Sequence, residues 1–592
     1  MHKYKLGLIG NCAYMAYVDD TAAVQWMCMP RFDSSFVFGG LLDKEKGGRF
    51  SVQPAGEFES KQYYLTNTNI LCTEFKAADG SFRVIDFAPR FYQYERHYRP
   101  LMMVRKLECI SGSPEIVVEC SPRGQYGEMQ PEEVVASNHI RYLNMDSQVR
   151  LTTDIPLSYI SQKKRFVLSR NKYLVFTYGE PLEAPLADTA ERFLLQTMRY
   201  WERWVRSTYI PDIYQSEVIR SALVLKLHQY EDTGAIIASG TTSLPESPES
   251  GRNWDYRFFW FRDSYYTLQA FNMIGHFEEL EGYFDFIKNI LAQDKEKIQP
   301  LYSITGDQQI TERTLPLKGY MNNQPVRVGN AAYTQLQYDV YGQVLLSLLP
   351  LFFDERLIIT RNAHINFKDL VGRQLSLIGD TVDKPDAGIW EFRNSMQHHC
   401  YTKLFHWAGA LAAKKFATLL KDQEMEDRAL QLANKAAKQI EACYSPREKA
   451  FMQAIDSEHM DASTLKLITM GYLSPKDPRT MQHLNAIERK LKTEGGLLFR
   501  YLNKDDFGTP ESTFLVCSFW YTEALACVGR IDEALQSMEN NLQHSNSLGL
   551  FSEDVSVDGS QWGNFPQTYS HVGLINSAFR VSRLLNKPHY LM

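Results

Sequence analysis

The sequence predicts a protein of mixed β and α class, with an N-terminal β-sandwich followed by a double-walled (α/α)6 toroid. Three observations predict it. The chain has 592 residues, too many for one small domain. Up to about residue 190, short Val-, Ile-, Phe- and Tyr-rich runs alternate with turn clusters. Beyond that point strand signals almost vanish, and apolar residues recur at helical spacing. With 44% hydrophobic and 23% charged residues, the composition is globular and leaves ample core material.

In the first part, residues 1–187, the clearest strand runs are Leu101–Ile110, Glu115–Cys120, Val134–Leu143 and Arg165–Tyr178. Ser111-Gly112-Ser113-Pro114 and Gly179-Glu180-Pro181 break them. Many short strands at this spacing make a sandwich. Ala190–Ser207 reads as a connecting helix inside a linker at 188–214. Residues 215–592 hold twelve helical stretches: 215–231, 263–276, 279–293, 329–352, 365–380, 398–420, 424–442, 462–470, 478–492, 512–528, 531–544 and 567–585. Twelve helices with mostly short links make six hairpins, which close most compactly as a toroid.

Several functions are excluded at this level. The net charge of -6, from 64 basic and 70 acidic residues, gives no basic stripe, so no nucleic-acid partner is expected. No apolar run is long enough to span a membrane, so no membrane association is expected. The first thirty residues carry no secretory pattern, because Asp19 and Asp20 close a short apolar stretch already broken by Gly10 and Asn11. The nine cysteines show no C-x-x-C pair and read as free thiols. A cytoplasmic location is the expectation. His398-His399-Cys400 lacks a matching ligand set and reads as a helix start or core segment. Asp554–Gly559 lacks EF-hand spacing. No organic cofactor is expected and no metal-ligating residues are named, while dependence on a metal is not read from the sequence.

Five links are long and rich in aromatics: Ser239–Phe261, Gln299–Val328, Thr381–Gln397, Leu497–Thr513 and Gly549–Gln567. Disordered segments are poor in aromatics, so these loops are expected to build a site at one end of the toroid. A cluster from Arg252 to Asp263 begins in the first and runs to the start of the next helix, with Trp254, Tyr256, Trp260, Arg262 and Asp263. Neighbouring Arg and Asp side chains can grip vicinal hydroxyls, and rings can cover the C–H face of a sugar. The plainer reading is a buried ion-pair network under an aromatic lid. In the second loop of interest, Glu391 stands between Trp390 and Phe392, where desolvation would raise its pKa as a general acid requires. The alternative is that Glu391 simply pairs with Arg393. Glu553 lies in a third aromatic loop, ahead of Trp562, with a capping or solvated carboxylate as its alternative. Two such carboxylates at one rim could flank a glycosidic bond.

At these clusters the chain resembles the glucoamylase/trehalase-like family of glycoside hydrolases, family fifteen. The resemblance covers nearly the whole length. It rests on Gly7-Leu8-Ile9-Gly10-Asn11, Trp26 to Ser34, Thr241-Thr242-Ser243-Leu244-Pro245-Glu246, Arg252 to Asp263, Pro325 to Ala332, Gly388-Ile389-Trp390-Glu391 and Gly563-Asn564-Phe565-Pro566-Gln567. It implies the sandwich-plus-toroid fold and an inverting exo-hydrolase of α-glucosides. It makes Glu391 the general acid and Glu553 the general base, puts Arg262, Asp263 and Trp260 on the terminal sugar, and brings Arg500 and Tyr501 to the neighbouring one. Two departures stand out. Glu553-Asp554 replaces the two Glu common in bacterial relatives, and Thr402-Lys403 replaces a Ser-Lys pair, with Lys403 still expected to touch substrate. Met15-Ala16-Tyr17 and Met27-Cys28-Met29 are also unusual, and could alter preference if that segment reaches the site.

Inversion requires the two carboxyl groups roughly 6.5–9.5 Å apart, leaving room for the attacking water. The expected substrate is a small α-glucoside, with maltooligosaccharides ranked slightly above trehalose and isomaltose-type linkages also fitting. A phosphorylase, which needs only one carboxylic acid, and a catalytically dead sugar-binding protein are the rivals from other classes.

Overall fold

The computed structural model describes residues 1–293, 297–354 and 367–585. Its N-terminal part opens with a four-stranded antiparallel meander: Leu6–Gly10, Met15–Asp19, Val24–Cys28 and Phe36–Phe38. An eight-stranded antiparallel sheet follows, running in spatial order from Glu132–Val135 through His139–Leu143, Val149–Thr153, Lys172–Tyr178, Met102–Gly112, Gly80–Phe87 and Leu71–Ala77 to Phe58–Tyr64. A three-stranded sheet of Arg49–Pro54, Glu115–Ser121 and Phe166–Val167 completes the β part. In Glu115–Ser121 every second residue, Ile116, Val118 and Cys120, is buried, the period-2 signature of a sheet with one face on the core. Inside it, the Arg105 guanidinium donates two bonds to the Asp86 carboxylate (2.7 and 3.0 Å) and two more to the Phe50 and Ala22 carbonyls (3.1 and 2.6 Å). Both charges are therefore fully partnered, as buried charges must be.

Two of the expected strands are each divided. Val134–Leu143 is a hairpin, closed by the Ala136 N–H donating to the His139 carbonyl (2.9 Å). Arg165–Tyr178 splits at 168–171, and its two pieces join different sheets. The helix Leu186–Arg206 then leads out of the β part.

Six helices form an inner ring: Phe261–Ile274, Asp339–Phe353, Cys400–Leu420, Lys466–Thr469 with its preceding 3-10 turn, Leu515–Cys527 and Thr568–Leu585. Each packs on the next, and the last returns to the first. Gln215–His228, Phe277–Gln293, Phe367–Thr381, Gln423–Glu441, Pro478–Leu491 and Ile531–Leu542 make the outer wall. Burial explains the two layers. Leu515–Ala526 is buried on every side, whereas Gln423–Glu441 buries only the stripe Ala429, Ala433, Ala436 and Ile440. The expected stretch 365–380 begins at two residues outside the described ones; the rest is helical from Phe367. The expected helix at 329–352 starts ten residues late, at Asp339. Asn330 Oδ1 accepts from the Ala332 N–H (3.0 Å) and caps a single 3-10 turn, so residues up to Tyr338 stay in the loop.

All nine cysteines are free thiols. Among the described residues, no helix is long and apolar enough to cross a membrane, and no cluster of ligands could hold a metal ion.

The two parts are joined by buried charge. Arg90, wholly buried, donates to the Asn11 carbonyl (2.8 Å) and pairs with Glu231, just beyond the first outer helix. Glu231 also accepts from His97 (2.9 Å) and faces Arg99 (3.4 Å). Against the effect of burial, the His97 hydrogen bond and the charges of Arg90 and Lys226 hold its carboxyl well below the usual range. Lys226 pairs with Glu279 (2.9 Å), which accepts from the Trp204 indole (2.9 Å). A carboxyl whose pKa falls on folding adds stability above its unfolded pKa and loses it as pH falls through the folded value. Glu231→Gln strands Arg90 without a counter-ion and should remove on the order of 3 kcal/mol near neutral pH. A lower urea midpoint checks this; an unchanged midpoint contradicts it.

Candidate active site

A cavity opens where the inner helices begin; with the open solvent at its mouth included, its empty space is about 800 Å³. Its deep end is set by first-turn residues: Arg262 and Asp263 of Phe261–Ile274, and Tyr569 of Thr568–Leu585. Loops supply the rest, including Glu246, Arg252, Trp254, Tyr256 and Trp260 from the first long link, and Trp390, Glu391 and Arg393 from the link before Cys400.

Glu391 sits on a tight turn. Its N–H donates to the Gly388 carbonyl (3.2 Å), and Glu391 itself has φ +62, a left-handed conformation that non-glycine residues adopt at a cost. Gly388 has φ +70, and a Cβ there would lie 2.6 Å from the His399 ring, so the turn needs glycine. The turn aims Glu391 into the cavity, where one carboxylate oxygen accepts from Arg262 (3.0 Å). Arg262 also donates to Gln337 (2.6 Å) and faces Asp339 (3.5 Å). Its single charge is divided among several carboxylates. Desolvation therefore wins, and the Glu391 carboxyl is pushed up to about 7, with Asp263 adding to the rise and Arg262 and Arg393 opposing it. Burial pushes Asp263 up to about 7 as well, against the pull of Arg262.

Glu553 reaches the cavity from the link before the last helix. Its backbone is fixed by the Leu515 N–H donating to its carbonyl (3.1 Å) and by its own N–H donating to the Asn564 carbonyl (3.1 Å). The Asn564 N–H donates to the side-chain oxygen Oε2 (3.2 Å). Gly563, at φ +72, lies so close that a Cβ would be 2.7 Å from that oxygen. Asp554 is buried beside Glu553 and accepts from the Ser512 hydroxyl (2.8 Å). Glu246 accepts from the Trp254 indole (2.9 Å) and pairs with Arg500. Burial, then the charges of Asp554 and Glu246, push the Glu553 carboxyl well above its ordinary range. Tyr256 feels the fields of both Glu391 and Glu553.

The structure thus brings Glu391, Glu553, Arg262, Asp263, Trp254, Tyr256, Trp260, Trp390, Arg393 and Arg500 to one cavity. Three expected contact residues lie elsewhere. The Lys403 ammonium is buried and donates to the Val382 and Lys384 carbonyls (2.8 and 2.9 Å), while Thr402 donates to Asp386 (2.9 Å). Together they tie down the base of the Glu391 loop. Tyr501 is buried against Trp390 and Phe392, with its hydroxyl on Asp505. Trp562 packs on His2 (5.0 Å). The reading of Glu391 as Arg393's partner is corrected too: Arg393 pairs with Glu312 (3.2 Å) and lies over the Trp254 ring (4.6 Å).

Glu246, Gln335, Asp505, Asp506, Phe507, Phe514, Gln567 and Tyr569 also line the cavity without having been singled out as site residues. Gln335 was hidden by the helix expected at 329–352; it donates to the Glu391 carbonyl (3.0 Å). Glu246 carried a signal, as an acid within the first aromatic link. None of the N-terminal strands lines the cavity, but they brace its walls. Trp26 donates to the Gly240 carbonyl (2.9 Å), Arg257 to the Ser34 carbonyl (2.7 Å), and Tyr4 to the Gly563 carbonyl (3.0 Å).

Paired carboxylates in an aromatic cavity on an (α/α)6 barrel are the equipment of a sugar-cleaving enzyme, and comparison with known proteins agrees. The model of glycosyl hydrolases family 15 matches residues 212–579, and that of the trehalase-like N-terminal domain matches residues 3–154. The chain is similar to a trehalase of Thermoplasma volcanium, 31% identical over 98% of this chain and 94% of the relative. It is also similar to a trehalase of Mycobacterium tuberculosis, at 30% over 96% and 87%. The fold matches that of a bacterial glucoamylase solved with acarbose, at a TM-score of 0.71 and 14% identity, covering 99% of this chain and 95% of that one. The chain belongs to glycosyl hydrolases family 15 and is a glycoside hydrolase.

Proposed function

We propose that this enzyme hydrolyses α,α-trehalose by single displacement. Trehalose moves ahead of the maltooligosaccharides ranked first from sequence, because relatives named trehalase align along almost the entire chain. The observation that carries the reaction is that Glu391 and Glu553 meet in one cavity from loops that precede different inner helices. One glucose occupies the deep end, where Arg262 and Asp263 take its hydroxyls and Trp260 its apolar face. Glu391, protonated up to about pH 7, gives its proton to the bridging oxygen. Glu553, once ionised, takes a proton from water attacking the anomeric carbon on the opposite face. Burial excludes competing water and strengthens both carboxyl interactions.

Each role has a distinct test. Glu391→Gln and Glu553→Gln should each lower kcat on trehalose by about 10²-fold or more while leaving the melting temperature near that of the wild type. Near-wild-type turnover by either variant contradicts its assignment. The ratio kcat/KM should fall as pH rises through about 7, where Glu391 loses its proton. Asp554's negative charge raises the Glu553 pKa, so Asp554→Asn should move the acidic limb to lower pH. An unmoved limb means that Glu553 is not the group titrating there.

A further inference from the structure

A short hairpin lines the solvent side of the cavity. Asp505 and Gly508 exchange backbone hydrogen bonds (3.1 and 3.3 Å). Asp506 and Phe507 form its tip, and Asp505, Asp506 and Phe507 all line the cavity. The tip is held from two sides. On one, the Asp506 carboxylate accepts from the backbone N–H groups of Arg393 (2.6 Å) and Asn394 (3.2 Å), on the loop that carries Glu391. On the other, Arg252 donates to the Asp505 carboxylate and to the Gly508 carbonyl (2.9 Å), from the loop that carries Trp254. The Phe507 ring meets the edge of Trp254 (5.1 Å) and lies under the guanidinium groups of Arg252 and Arg393, each 5.5 Å away. Charge-assisted bonds to backbone N–H groups are among the stronger ties a loop can make.

We infer that this hairpin is the specificity element of the enzyme: latched across the cavity by Asp506 and Phe507, it closes the site after the second sugar. The inference rests on the trehalose reading and deepens it. Among the lining residues, Asp263 and Trp260 are buried, whereas Arg393 and Asp506 are exposed and Phe507 is half-buried, so the hairpin tip stands at the solvent side of the cavity. A sugar beyond the second must displace the hairpin or break its latch. Trehalose has no third sugar, so the closed hairpin excludes longer glucosides while leaving the disaccharide enclosed. The charged groups of the hairpin and its anchors, Arg252, Arg393 and Asp505, then face the hydroxyls of the leaving glucose.

The test compares trehalose with trehalose carrying one further α-1,4-linked glucose, using wild type, Asp506→Ala and Phe507→Gly. Maltose and maltoheptaose are run in parallel. Wild type should prefer trehalose over its glucosylated form by tenfold or more in kcat/KM, within the range a shaped pocket provides. Both variants should narrow that ratio severalfold, with circular dichroism and melting temperature near wild type. Equal use of the two substrates by wild type overturns the inference. So does an unchanged ratio in both folded variants. If maltose is cleaved and trehalose is not, the trehalose reading fails, and the hairpin is judged on maltose against maltoheptaose by the same criterion.

Discussion

The structure depends on keeping an excess of carboxyl groups out of water at one end of a helical ring. Glu246, Asp263, Glu391, Glu553 and Asp554 are packed around two buried guanidinium groups, Arg262 and Arg500. In bulk water each carboxyl would ionise near its ordinary pKa and serve neither as proton donor nor as tuned base. Here the arginine charge is insufficient for all of them, and burial raises Asp263, Glu391, Glu553 and Asp554 together. Helix N-termini at the deep end favour anions, yet the directions of these shifts show that desolvation outweighs them.

That constraint explains the architecture around the site. A closed inner ring provides a floor of aromatic side chains: Tyr569 contacts Tyr266, and Trp390 contacts Trp520. The walls are loops, and loops carrying buried charge need anchoring. The N-terminal part provides it through hydrogen bonds: Trp26 and Tyr4 donate to the Gly240 and Gly563 carbonyls of the loops, and Arg257 of a loop donates to the Ser34 carbonyl. The β part thus contributes to the chemistry without lining the cavity. The Arg90–Glu231 cluster holds the β part against the ring, so this bracing is itself electrostatic.

The two parts of the fold were legible because they follow from periodicity. The switch near residue 190 from alternating runs to helical spacing announces the β part and the helical part, whereas which helices line the inner ring shows only in burial, as in Leu515–Cys527 against Gln423–Glu441. Glu391 and Arg262 were legible because charge set among aromatics implies desolvation. What was hidden depends on distance along the chain. Nothing local says that Asp506 meets the backbone of Arg393, or that Glu246 pairs with Arg500. Lys403 misled for the opposite reason: its charge stands near the Glu391 loop in sequence, but two backbone carbonyls hold it beneath that loop. Gln335 was lost to apolar spacing that continued past the loop into the true helix at Asp339.

The central claim is that Glu391 and Glu553 act from opposite faces of one glucose. Proton NMR of the first minutes of trehalose hydrolysis tests it most directly. Single displacement inverts the attacked centre and leaves the other unchanged, so α- and β-glucose should appear in equal initial amounts before mutarotation mixes them. Release of α-glucose alone would mean that the attacked centre is retained, and would contradict the account.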